Sequence, residues 1–329
     1  MKLWHRKLLI DTAKAAIPFQ SGLRRLTRRV KPYSTNPANT EHLIVDGLDQ
    51  LDMLRDADVR VEGADILEFG SGWLPVIPLL FRLAGAKTVT LTDQERLMDG
   101  RLIEDAITII RDHNGFIAQR LHKDIKAVNF GEPSTGAGLE SKLLFYGLKY
   151  LVPFSPSVIP DSSMDIVTSR AVLEHVPERL LNDFMRQFRR MLKPEGAMCH
   201  TIDMSDHWEH LDKSIGRINF LRYSDWVWNM TCLNPQNFQN RLRRIDYVQM
   251  MEQNEFKIIK LIGEPDARAL IDFDSMRVAS KFNGLSREEA ATLTCSVLSK
   301  PIKSGATPSV PTEIVARHEP HQRCRPSPA

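Results

Sequence analysis

Cysteine is scarce and scattered: the four, Cys199, Cys232, Cys295 and Cys324, form no CxxC pair. That argues against a disulfide framework and against a cysteine-based zinc site, and makes a reducing cytoplasm the expected setting. No run of about 18 apolar residues occurs, so no membrane-spanning helix is expected. The basic start "MKLWHRKLLIDTAKAA" has its apolar run broken by Asp11 and Lys14, which speaks against a cleaved signal peptide. The formal net charge is only +3, too little to make nucleic acid the expected partner. No internal repeat is present. What the chain does have is an ordinary globular composition, 42% hydrophobic and 26% charged over 329 residues. That is enough for one large α/β domain with additions, or for two modest ones.

Residues 1–32 carry nine Lys/Arg against one acidic side chain, with Leu3, Trp4, Leu8, Leu9, Ile10 and Ala15 at roughly helical spacing before Pro18. Two readings are open for this basic arm. It packs on its own domain with solvated charges, or it rests as a peripheral helix on anionic lipid or a lipid-linked substrate. The polar stretch "YSTNPANT" links it to the rest, so residues 1–40 form an arm and linker. From Glu41 to Asp56 an amphipathic helix is expected. Strands and helices then alternate: strand 65–69, helix near 75–84, strand 87–93, helix near 96–112, strand 164–170, helix near 178–192, strand 197–203. This rhythm predicts a parallel sheet covered on both faces. Residues 113–160 and 204–245 break it and read as insertions. After them "IDYVQMMEQNEFKIIKLIGEP" reads as helix, turn and strand, and the last strand ends near Ser299. Residues 301–329, rich in Pro, Ser and Thr, are expected to be disordered.

The stretch "DILEFGSGWLP", residues 65–75, reads as a buried strand, a glycine turn and a helix start. Such a turn aims backbone N–H groups and a helix N-terminus at a polar ligand, and Gly70 and Gly72 permit a backbone that larger residues block. Asp93, at the end of the next strand and about 20 residues on, is placed to bind ribose hydroxyls. Dinucleotide enzymes share this much, but their third glycine would fall at position 75, where this chain has Pro75. Glu68 two residues before Gly70, and the downstream order "SMDIVTSRAVLEHVPERLLNDFMRQFRRMLKPEGAM", point elsewhere.

On these motifs the chain resembles the class I S-adenosylmethionine-dependent methyltransferases, over roughly residues 41–300. The resemblance implies a Rossmann-like α/β fold: a doubly wound, seven-stranded, mostly parallel sheet whose last strand, placed at 292–299, runs antiparallel. It implies S-adenosyl-L-methionine as cofactor. Glu68, Gly70, Ser71 and Gly72 would wrap its methionine part and Asp93 its ribose. Gln94 would lie beside the adenine, with Ser169 and Arg170 at the amino-acid end. Two departures stand out. The usual third glycine falls at Leu74, leaving Trp73 and Pro75 to close the turn, and "YLVPFSPSVIPDSSMD" offers no acidic partner for the adenine amino group.

A hydroxyl acceptor needs a base. "HTIDMSDHWEHLD", 200–212, is the densest source of one: His207 would be the base, oriented by Asp203 or Asp206. Equally, the segment is a charged cap and helix start, with Asp206 as its satisfied N-cap. A metal reading needs Asp203, His207 and His210 on one helical face; no metal is expected. His175, in "LEHVPE", is a further catalytic candidate or a brace of the turn. Residues 219–247 mix Trp226, Trp228, Tyr223 and Phe238 with Asn and Arg, which suits a polyhydroxylated ligand, a packed lid or a dimer contact. Arg222, Asn240 and Arg241 are the candidate acceptor contacts. The expected function is methylation of a small-molecule or glycan acceptor, most plausibly at a hydroxyl. The alternatives are N- or C-methylation of a lipid-like acceptor reached through the arm, and a degenerate fold acting as a binding protein. A nucleic-acid substrate is not expected, because the basic residues cluster in the arm and no Asn-Pro-Pro-aromatic motif follows the fourth strand.

Overall fold

The computed structural model describes residues 40–124, 130–131, 133–134, 136–232 and 238–303. The basic arm with its expected membrane contact, the linker up to residue 39, Cys324 and the tail beyond 303 lie outside the described residues. The element order is α1 (Glu41–Asp56), β1 (Asp65–Phe69), α2 (Val76–Leu83), β2 (Thr88–Thr92), α3 (Gly100–Asp112), α4 (Asn114–Leu121), α5 (Leu139–Phe145), β3 (Leu148–Leu151), β4 (Met164–Arg170), α6 (Glu178–Met191), β5 (Leu192–Asp203), α7 (Asp225–Thr231), α8 (Arg244–Gln253), β6 (Phe256–Ile262), α9 (Ala267–Ser275), α10 (Arg287–Ala291) and β7 (Thr294–Pro301).

Seven strands form one sheet in the order β3-β2-β1-β4-β5-β7-β6. The neighbours from β3 to β5 are parallel, and β7 runs antiparallel to both β5 and β6. Strand order reverses between β1 and β4, which puts the loops after these strands at a topological switch point, where open α/β sheets hold ligands.

Period-2 alternation sends successive side chains to opposite faces. Ile66, Ile166, Ala197, Cys199 and Leu298 join the core under α1 to α5. Leu67, Val167, Met198, Val297 and Cys295 join the core under α6 and α8. In α6 the apolar positions Leu181, Met185 and Phe188 recur at helical spacing and are all buried. A third cluster, with Trp208, Ile218, Phe220, Trp228, Phe282 and Leu293, holds together a cap built from residues 204–232 and the α9–α10 region. Arg243 locks the cap to the sheet. Its buried guanidinium donates to the carbonyls of Met204, Glu289, Ala290 and Thr292.

Helix α1 is tied across the carboxyl ends of the strands by buried polar bonds. Gln50 Nε2 donates to the Ser169 carbonyl (2.9 Å) and to Thr201 Oγ1 (3.2 Å), and Thr168 Oγ1 donates to Gln50 Oε1 (2.7 Å). Arg170 Nε reaches Asp46 at 2.8 Å.

Several expectations need correction. Residues 113–160 are no mere insertion: they hold α4, α5 and the edge strand β3, paired to β2. Helix α3 starts at Gly100, not near 96, because Asp99 caps it by accepting from the Leu102 amide (3.0 Å). The Leu97 amide instead donates to the Tyr150 hydroxyl (3.0 Å). Strand β5 begins at Leu192, which pairs with Met164 ahead of an irregularity in register. The last strand is Thr294–Pro301 rather than 292–299.

Candidate active site

The glycine turn lies where the sequence places it, at the switch point after β1. Gly70 (φ +76°) and Gly72 (φ +64°) both take the left-handed backbone that favours glycine. At Gly70 a Cβ would meet both Val172 methyls at 2.6 Å, so the residue is also required for the close approach of the β4 loop. The turn is braced from β2: the amides of Gly70 and Ser71 donate to the Thr92 carbonyl at 3.0 and 2.9 Å, and the Thr92 amide donates to Ser71 Oγ at 3.1 Å. Asp93 accepts from the Gly72 amide (3.1 Å) and from the Gln94 amide (2.7 Å).

Gly70, Ser71 and Gly72 line a cavity of about 200 Å³ with Leu43, Glu68, Trp73, Leu74, Ile77, Arg170 and Ala171. Glu68 is buried and its Oε2 has no hydrogen-bond partner. Burial, reinforced by nearby Asp93, pushes its carboxyl up to about 8 against the pull of Ser71. Burial likewise raises Asp93, against its hydrogen bonds from the Gly72, Gln94 and Glu95 amides.

Beyond Arg170 the β4 and β5 loops bring four acid–base groups together. Glu174 and His175 lie in a 3-10 turn, Leu173–His175, directly after β4. Asp203 ends β5, and His207 opens a second 3-10 turn, His207–His210. His207 Nε2 is 3.5 Å from Asp203 Oδ2, an ion-pair distance too long for a hydrogen bond of ordinary strength. The His175 and His207 ring centroids are 5.0 Å apart. Burial raises Glu174 to about 8, with Asp203 adding to it and His207 and Arg170 opposing it. Burial would raise Asp203 as well, but His207 and the Ser205 amide hold it well below the usual carboxylate range. His207 is raised, because Asp203 outweighs the desolvation that would lower it. His175 is lowered by burial and by the charge of His207.

Several sequence candidates take other places. Ser169 does not turn its hydroxyl to the glycine-turn cavity; it is buried and hydrogen-bonds His200 Nδ1 at 2.8 Å. Asn240 does not present a free amide: its Nδ2 donates to the carbonyls of Leu173 (2.8 Å) and Val176 (3.0 Å). Arg241 is buried and donates to the Phe220 and Tyr223 carbonyls and to Asp225. Both are struts, their donors consumed by carbonyls that no sequence pattern reveals. Arg222 lines a different cavity, about 660 Å³, with Lys213, Arg217, Arg268, Glu209 and Asp272 on the cap. Asp206 caps the His207 turn by accepting from the Trp208 amide (2.9 Å) and does not orient His207. Asp203, His207 and His210 share no helical face, since Asp203 belongs to β5 and the turn is 3-10. Gln94 is exposed past the end of β2. Glu174, absent from the sequence candidates for catalysis, is the buried member of the cluster. Its signal was available as the acidic neighbour of His175.

A doubly wound sheet with a glycine turn at its switch point and an acidic residue ending β2 defines a nucleoside-cofactor enzyme of the Rossmann-like type. Over residues 40–261 the chain matches the family described as a methyltransferase domain. It belongs to the class I S-adenosylmethionine-dependent methyltransferases, and S-adenosyl-L-methionine is its cofactor. No curated protein sequence matches it. Among solved structures it is similar to an S-adenosylmethionine-dependent methyltransferase from Mesorhizobium loti (13% identity, TM-score 0.43, 77% of this chain and 99% of that one). It is also similar to a protein of Bacillus halodurans C-125 described as a methyltransferase (14% identity, TM-score 0.42, 78% and 99%). The residues present fit the cofactor. Glu68 leaves a buried acceptor oxygen unused, suited to an ammonium group, and Gly72, on the cavity wall, leaves open space that a side chain would fill. Among the described residues no helix is long and apolar enough to cross a membrane.

Proposed function

We propose that this methyltransferase methylates a hydroxyl of a polyhydroxylated small-molecule or glycan acceptor. The observation that carries the reading is the packing of Glu174, His175, Asp203 and His207 beside Arg170, which itself lines the glycine-turn cavity. When bound, the cofactor supplies an electrophilic methyl on a sulfonium. The chain's own residues do the rest. Glu68 and Arg170 would hold the amino-acid end, and Asp93 the ribose hydroxyls, with Gln94 toward the adenine. The acid–base cluster is where an acceptor hydroxyl would lose its proton. Alignment of acceptor and methyl by the cap would supply much of the acceleration, of order 7–11 kcal/mol in favourable cases.

The test is a methyl-transfer assay with isotopically labelled cofactor over panels of sugars, nucleotide sugars, phenols and amines, with the product atom assigned by NMR. The expected product is a methyl ether. Transfer to nitrogen or carbon only would contradict the reading.

A further inference from the structure

We propose that Glu174, His175 and His207 form a binding site for a divalent transition-metal ion of the zinc type. One ligand atom from each of the three lies within 4.8 Å of the others, so small side-chain adjustments would bring all three onto one ion. The donor set, two imidazole nitrogens and one carboxylate, suits zinc-like ions, whereas magnesium and calcium prefer all-oxygen sites.

The surroundings are arranged as a metal site's usually are. Glu174 is buried, 1% exposed, and neither carboxylate oxygen has a hydrogen-bond partner. A buried carboxyl without side-chain donors either keeps its proton or takes a cation, since leaving the carboxylate bare is costly. His175 Nδ1 lies 2.9 Å from the Phe238 carbonyl. A carbonyl only accepts, so the proton is fixed on Nδ1 and the Nε2 lone pair is left for a ligand. Ligating histidines are commonly held as His175 is, by a backbone carbonyl on the far side of the ring.

The turn bearing Glu174 and His175 is itself clamped. Asn240 donates to the carbonyls on either side of them, its own amide donates to the Glu174 carbonyl (2.9 Å), and Tyr247 Oη donates to Asn240 Oδ1 (3.1 Å). Three protein ligands leave a further position open, as in catalytic zinc sites. An ion there would favour ionisation of an acceptor hydroxyl brought to that position. Only this catalytic part rests on the hydroxyl reading; the ion site stands on its own geometry.

The experiment uses the full-length protein stripped with chelator. Cobalt(II) is added and followed by visible d–d absorption, and zinc by calorimetry, without acceptor. One equivalent is expected to bind, and each of Glu174→Gln, His175→Asn and His207→Asn is expected to weaken it at least about 10–100-fold, the loss that removing an outer-shell partner alone causes. The variants should still melt cooperatively and keep S-adenosylhomocysteine affinities near wild type, which separates loss of the ion from loss of the fold. Wild-type protein that binds neither ion, or variants that bind them as tightly, would overturn the proposal. Binding of magnesium alone would overturn the zinc-type assignment. A loaded protein that methylates no hydroxyl would leave the ion site standing and remove the acceptor reading.

Discussion

Glu68, one residue before the end of β1, holds one carboxyl oxygen out of water, unpartnered, and close to Asp93. Its ordinary value is 4.5 and burial lifts it to about 8 in the folded protein. Between these values the folded chain keeps a proton that the unfolded chain has released. Stability of the ligand-free protein therefore falls as pH rises across that window, and the effect levels off above it. Holding a cationic ammonium needs the ionised form, so affinity for S-adenosylhomocysteine should rise with pH toward about 8 and then flatten. Glu68→Gln is expected to melt higher than wild type at about pH 8, and to bind the ligand roughly tenfold or more weakly with no rise over this range. Thermal melts and calorimetry from about pH 5 to about pH 9 check both. A variant that follows the wild-type pH profile would remove Glu68 from this role.

At the scale of elements, the strand–turn–helix at 65–83 was legible because everything it needs is local: an apolar run, two glycines and a proline at the helix start. Gly70 makes the element testable. Gly70→Ala forces a left-handed φ on a residue with a Cβ and drives that carbon into Val172. It should cost about 1–3 kcal/mol from backbone strain alone, more from the contact, and should abolish cofactor binding. Adding Val172→Ala should recover the contact part and leave the strain, as read from urea midpoints. Strand β3 was harder to see, with four residues, alternating burial and an edge position giving it little apolar signal. The acid–base cluster was half legible. Its members follow β4 and β5, and only the parallel pairing of those strands, Ser169 beside His200, brings residue 174 to residue 207. Reading the 200–212 segment as a local helix searched the wrong neighbourhood. Polar residues of the cap misled for a related reason: a donor spent on the chain's own carbonyls looks the same in sequence as one offered to a ligand.

Across the whole molecule, the proposed function-bearing side chains gather at or just beyond the carboxyl ends of strands: Glu68 on β1, Asp93 after β2, Arg170 on β4 with Glu174 and His175 after it, and Asp203 on β5 with His207 after it. Helix α1 and the cap close over that edge from two sides, through Gln50 and Arg170 on one and Arg243 on the other. In the proposed function the cofactor lies along this edge, between the glycine turn and Asp93. Titration calorimetry of wild type and Asp93→Ala with S-adenosylhomocysteine tests it most directly. Hydrogen bonds to a charged acceptor contribute about 1.5–3 kcal/mol each, so the substitution should weaken binding at least about tenfold while the protein still melts cooperatively. Unchanged affinity in a folded Asp93→Ala protein, or no binding by wild type, would contradict the claim.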